Sequence, residues 1–410
     1  MNYTAEQHPI STLAGLATLC VCALTAQGLT ALRKVSISPQ GRLGCIDGLR
    51  GLLALGVFLH HYVFTRYFFQ TGQWQLPNSI TFYNLTGPVG VALFFMVTGF
   101  LFYHKIESSH GRIDWTKLYT RRVFRLMPLY FLAFAVVLMI VLSVGGPKLR
   151  VPLWLLVKRI IEWLVFLGCP DINAFEDTGR IIAAVTWTIK YEWVFYLCLP
   201  LLAVLVRLRG KYHCVLFILT GTVLAIAAFD FTVPYVFLST RYAIYFLAGA
   251  LSASAYTKAR LKTLMQRRSV SLLATAALLC VFTFIGMGNW LVQAVFLTLF
   301  FLPVALGNSI FGLLRFPALV LLGEISYSLY LLHGIVLYVF FSISFPSFMR
   351  IATSLQVSLL MPLVGCILVV TCWMTYLTIE KPSMDFGRSF AERLARPRLK
   401  SLSQNKSIEP

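Results

Sequence analysis

Apolar residues come in runs of about twenty along nearly the whole chain, separated by short connections that hold most of the charge. A helix crossing a hydrocarbon layer roughly 30 Å thick needs runs of that length. The runs predict ten helices, near 46–65, 85–104, 128–146, 185–206, 213–229, 234–256, 269–287, 289–307, 318–342 and 354–379. An extra N-terminal helix is expected near 10–32, with its start outside, because Arg33, Lys34 and Arg42 follow it rather than precede it. No strand-type alternation suggests a barrel. The expected fold class is therefore all-α, a polytopic integral membrane bundle. Two stretches depart from the pattern. The segment 151–168, "VPLWLLVKRIIEWLVFLG", is broken by Lys158, Arg159 and Glu162 and reads as an amphipathic helix lying on the outer surface. The tail 383–410 is basic, then polar, and is expected to lie on anionic headgroups before fraying.

Composition removes the soluble alternatives. Of 410 residues, 58% are hydrophobic and 12% charged, too few polar groups to cover a water-soluble surface. The net charge of +20 invites a nucleic-acid partner, but its placement argues against one. Alternation of the helices puts 25 of the 35 Lys and Arg residues in connections on one side and seven on the other. That is the positive-inside pattern, which places the tail in the cytoplasm and makes lipid the partner. The nine cysteines lie mostly inside apolar runs without zinc-ligand spacing, so no metal is expected. There is no internal repeat and no glycine-rich phosphate loop.

The informative residues are charges inside apolar runs. "IDGLRGLLALGVFLHHY" (46–62) carries Asp47, Arg50, His60 and His61. Arg50 and His61 are eleven positions apart, about three helical turns, so they share one face roughly 16 Å apart, with His60 turned away. A cation near the cytoplasmic mouth and a titratable base deeper in suit an anionic cofactor entering from the cytoplasm. The alternative is an Arg50–Asp47 pair and one interhelical bond from His61. "TWTIKYEWVFYLCLP" places Glu192 inside a span, either paired with Arg241 of "STRYAIYFLAG" or orienting His61 as an acid partner. The loop "DWTKLYTRRVFRLMPLY" sets Arg122 and Arg125 one turn apart before Pro128, as positive-inside anchors or as a fork for phosphates. In "GEISYSLYLLHG", Ser326, Tyr330 and His333 form one polar stripe, for interhelical bonding or for lining a substrate cavity.

Together these segments resemble the family 3 membrane acyltransferases, bacterial proteins that O-acylate sugars of surface polysaccharides, lipopolysaccharide O-antigen and similar acceptors. The resemblance rests on "IDGLRG" with Arg50-x10-His61, "GPVGVALFFMVTGFL", the Arg122-x-x-Arg125 pair, "TWTIKYEWVFYL", "RYAIYFLAG", "LGEISYSLYLLHG" and "IEKPSM", in family order. It divides the chain into 1–43, an extra helix and linker; 44–382, the acyltransferase domain; and 383–410, the tail. It implies an acyl-CoA donor, usually acetyl-CoA, bound at the cytoplasmic face of a bacterial inner membrane, and a glycan or lipid-linked sugar as acceptor. It makes His61 the base that activates the hydroxyl, or a residue acylated first. It gives Arg50, Arg122 and Arg125 to the donor, and leaves homo-oligomers open. Relatives often show a second acid where this chain has Trp193, and many carry a fused extracytoplasmic domain; the reading here is a stand-alone form. The rival class is a transporter using Arg50, His61 and Glu192 as an ion or proton path, which inverted repeats would favour.

Overall fold

The computed structural model describes residues 10–33, 44–75, 81–208, 232–233, 238–286 and 288–405, with the side chains of 395–405 left aside. Eight of its helices are long and apolar enough to cross a membrane, so the chain is a multi-pass, all-α membrane bundle. The helices are α1 (Thr12–Arg33), α2 (Gly44–Thr71), α3 (Thr81–Ser108), α4 (Trp115–Gly145), α5 (Leu153–Leu164), α6 (Trp187–Leu208) and α7 (Ala243–Tyr256). There follow α8 (Arg268–Cys280), α9 (Trp290–Ala305), α10 (Pro317–Glu324), α11 (Ser326–Tyr338), α12 (Ser354–Thr375) and α13 (Lys381–Asn405). The span expected at 213–229 lies outside the described residues.

Glycines set the tightest crossings. A methyl carbon on Gly99 of α3 would sit 2.1 Å from the Phe246 carbonyl oxygen, and one on Gly249 of α7 only 2.0 Å from that of Met96. The α2–α10 crossing is equally close, with Gly323 packed on the Asp47 carbonyl, and Gly48 packs on that of Leu314 in the turn before α10. Lipid supplies no hydrophobic drive between helices, so such backbone approach is what holds them. Gly249→Ala is therefore expected to cost about 1–3 kcal/mol through overpacking, read as a lowered unfolding temperature in detergent.

Three boundaries differ from the sequence expectation for a readable reason. Helix α4 begins at Trp115, not 128, because the Asp114 side chain caps it by accepting the Lys117 N–H at 2.9 Å. Pro128 then lies inside the helix, where it removes one backbone bond without ending it. Arg122 and Arg125 are thus helical, not in a loop. The helix expected over 234–256 starts only at Ala243; Thr232–Val233 pairs instead with Leu238–Ser239 in a two-residue antiparallel ladder. Pro234 keeps Val233 out of the helical region. The run 318–342 breaks at Ile325 into α10 and α11, which brings Ser326 to the first turn of α11.

The tail is the largest correction. It continues as helix from α12 through a π-helical turn at Tyr376–Glu380 and on to Asn405, and it packs along α4. The Phe124 ring lies 5.2 Å from that of Phe386 and 5.9 Å from that of Phe390, and Arg121 pairs with Glu392 at 3.5 Å. Phe386 and Phe390 are four residues apart, an apolar stripe that the basic composition conceals. The amphipathic segment forms α5, with Leu153, Trp154, Val157 and Ile161 exposed and Trp163 buried against Phe134.

Candidate active site

Helix α2 carries the two residues that the sequence places on one face, and both meet α11. Arg50 donates to the Ser326 hydroxyl at 2.8 Å and pairs with Asp47 at 3.4 Å. One helical face higher, the His61 ring lies against His333, Nδ1 to Nε2, at 3.0 Å. His60 points elsewhere, with its Nδ1 2.7 Å from the Tyr83 carbonyl oxygen.

The hydrogen-bond partners assign the His61 tautomer. His333 Nδ1 faces the Leu329 carbonyl oxygen at 3.1 Å, and a carbonyl only accepts, so that nitrogen carries the proton. Its Nε2 is then a lone pair. His61 Nδ1 faces that lone pair and also the Val57 carbonyl oxygen at 3.1 Å, two acceptors, so it too is the protonated nitrogen. The free lone pair of His61 is on Nε2. His333 is fully buried and donates nothing to His61. Such support for a ring is invisible in a sequence, although Ser326 and His333 share one polar stripe of α11, as Arg50 and His61 share one of α2.

Arg50 and His61 line two adjoining cavities. Arg50, Arg122, Arg125, Glu192, Ser326 and Tyr330 line one cavity. His61, Arg241 and Tyr330 line a second. Val91 and Tyr330 belong to both walls. The Tyr330 hydroxyl is held 2.9 Å from that of Thr188, which fixes the ring between the chambers. The first chamber uses Thr98 and Phe102 of α3 and Glu192 and Tyr196 of α6; the second uses Gly87, Pro88 and Trp187, nearer the other end of the same helices. The chambers therefore follow each other along the bundle axis.

In the first chamber three guanidinium groups face one carboxylate. The Arg122 guanidinium lies over the Phe102 ring at 4.5 Å. Arg125 has no hydrogen-bond or ion-pair partner among the described residues. Glu192 accepts from the Tyr196 hydroxyl at 2.6 Å. It reaches neither Arg241 nor His61, since those line the other chamber, so neither of its two expected partnerships forms. Glu380, in "IEKPSM", was not singled out by its position in the sequence. It is buried, accepts from Ser328, and lies within electrostatic reach of Arg125 and Arg50, as a counter-charge behind the chamber wall. Only the order of a Glu after an apolar run signals it. Among the described residues no cluster of His, Cys, Asp and Glu has the makings of a metal site.

Comparison with known proteins adds three findings. A family described as an acyltransferase domain matches residues 43–379. The acyltransferase MdmB of Streptomyces mycarofaciens is 29% identical over 174 residues, 40% of each chain. Proteins of Staphylococcus aureus strains MSSA476 and MRSA252, each carrying the name Putative O-acetyltransferase, are 25% identical over 344 residues, 76% of this chain and 52% of theirs. The chain spans about half the length, or less, of these curated relatives. No solved structure is a significant match.

Proposed function

This chain belongs to acyltransferase family 3, and from that premise we propose that it moves an acyl group, acetyl above all, from acyl-CoA to a sugar hydroxyl of a surface glycan. The observation that carries the proposal is the axial order of the two chambers, arginines in one and the free His61 Nε2 in the next. The phosphates of acyl-CoA bind to Arg50, Arg122 and the unpaired Arg125, whose planar forks suit them. The chamber sits at the end of α2 where the positive-inside count places the cytoplasm of a bacterial inner membrane. The acyl-pantetheine arm reaches past Tyr330 towards His61.

There the acceptor hydroxyl attacks the thioester carbonyl carbon while Nε2 takes its proton. The tetrahedral intermediate collapses with cleavage of the C–S bond, and the imidazolium returns the proton to the departing CoA sulfur. His61 Nδ1–H stays bonded to Val57 and His333 throughout, so the positive charge is shared into acceptors already in place. A route through an acylated His61 uses the same lone pair. A proton or ion path through Arg50, Glu192 and His61 has less support, since Glu192 and His61 line different chambers.

Titration of the protein in nanodiscs with acetyl-CoA, followed by calorimetry, tests the donor, and transfer of radiolabelled acetyl to the membrane glycan fraction tests the acceptor. Saturable binding and labelled glycan are expected. Absence of binding by folded protein to acetyl-CoA and to longer acyl-CoAs would remove the proposal.

A further inference from the structure

The second chamber joins an arginine, Arg241, to a set of aromatic rings. Beside His61 it presents the aromatic rings of Trp187, Tyr242, Tyr245 and Trp290, with the Gln293 amide among them. Most of these rings are already engaged. Trp187 and Tyr242 pack on each other at 5.2 Å, and Tyr245 donates to Gln293 Oε1 at 3.2 Å. Gln293 Nε2 in turn donates to the Gly286 carbonyl at 2.9 Å, which holds the amide in one orientation and leaves an acceptor lone pair on Oε1. Trp290 differs. It is half-buried, and among the described residues it meets no other ring and makes no hydrogen bond. An aromatic face on a cavity wall that no other ring covers is open to a ligand that stacks on it.

We infer that this chamber binds one pyranose ring of the acceptor, with Trp290 as the face on which the sugar stacks. The inference rests on the proposed transfer reading and deepens it by giving the acceptor a place. A pyranose has one face of C–H groups and a rim of hydroxyls. The C–H face matches an indole, and the rim matches an oriented amide oxygen and the bare His61 Nε2. Trp187 and Trp290 are the first residues of α6 and α9, so the chamber lies at the ends of these helices, on the side away from Arg122.

The test uses methyl glycosides of glucose, galactose, rhamnose, N-acetylglucosamine and glucuronic acid as probes. Their binding to the full chain in nanodiscs is followed by saturation-transfer NMR, with acetyl-CoA titrated into the same samples. At least one glycoside is expected to bind, and Trp290→Ala to weaken it about tenfold or more, the usual loss on truncating a buried aromatic anchor. The acetyl-CoA affinity should not change. Trp290→Leu keeps apolar bulk without the ring face and is expected to weaken the sugar likewise, which covers a failure of the alanine variant to fold. If no glycoside binds while acetyl-CoA does, or if binding survives both substitutions, the sugar site is wrong and the transfer reading stands. If a glycoside binds and no acyl-CoA does, the transfer reading falls instead.

Discussion

Replacing His61 by alanine is expected to lower acyl transfer by about 10²–10⁴-fold, the range that a positioned general base supplies, while the protein stays folded and still binds acetyl-CoA. The donor chamber does not include His61, so donor affinity is the control that separates lost chemistry from lost structure. Single-turnover transfer of labelled acetyl, beside calorimetric binding, reads both. Full activity in the variant would sink the base assignment and the acyl-histidine route together. His333 sharpens the test. It packs on the His61 ring, centroids 4.8 Å apart, and bonds it at Nδ1, so its effect on chemistry passes through the orientation and tautomer of that ring. His333→Leu should lower kcat and leave the donor Kd alone. His333→Gln, which returns an acceptor oxygen, should recover part of the loss. Equal losses in both variants would point to packing alone.

Arg50→Ala is expected to weaken acetyl-CoA binding by about 10–100-fold, the equivalent of one charge-assisted bond of roughly 1.5–3 kcal/mol. Binding should weaken with salt less steeply in the variant than in wild type, since one of three ionic contacts is lost while Arg122 and Arg125 remain. Arg50 also donates to Ser326, and that bond orients the guanidinium without itself reaching a ligand. Ser326→Ala should therefore cost less than Arg50→Ala. Arg50→Lys, which keeps the charge but not the fork, should fall between the two. An unchanged Kd in Arg50→Ala would move the donor out of this chamber, whatever the fate of His61.

The shared face of Arg50 and His61 was legible because a helix converts spacing into direction with little help from its surroundings. Both side chains do meet α11, at Ser326 and His333. Their division between two cavities was not legible, because it depends on Val91 and Tyr330 arriving from α3 and α11. Glu192 shows the same limit. A carboxylate inside a span announces that it has a partner, but Tyr196, one turn along its own helix, was chosen over Arg241 and His61 only by how α6 is rotated in the bundle. The tail misled for a different reason. Its charge dominated its composition, whereas ring contacts of Phe386 and Phe390 with Phe124, the Arg121–Glu392 pair and the close approach of Gly387 to Phe124 join it to α4.

The sequence by itself determined the solvent, the all-α class, the family and the stripe of polar groups on α2. Those properties follow from apolar run length, charge placement and helical period, all of which are local. The tertiary structure decided which nitrogen of His61 is free, which arginine is unpaired, and that donor-side cations and the histidine occupy successive chambers. Each of these depends on distances of about 3 Å between residues far apart in the chain, such as the 272 positions between His61 and His333. Helix crossings with backbone in contact at Gly99, Gly249 and Gly323 set those distances, and no periodicity in a single helix encodes them.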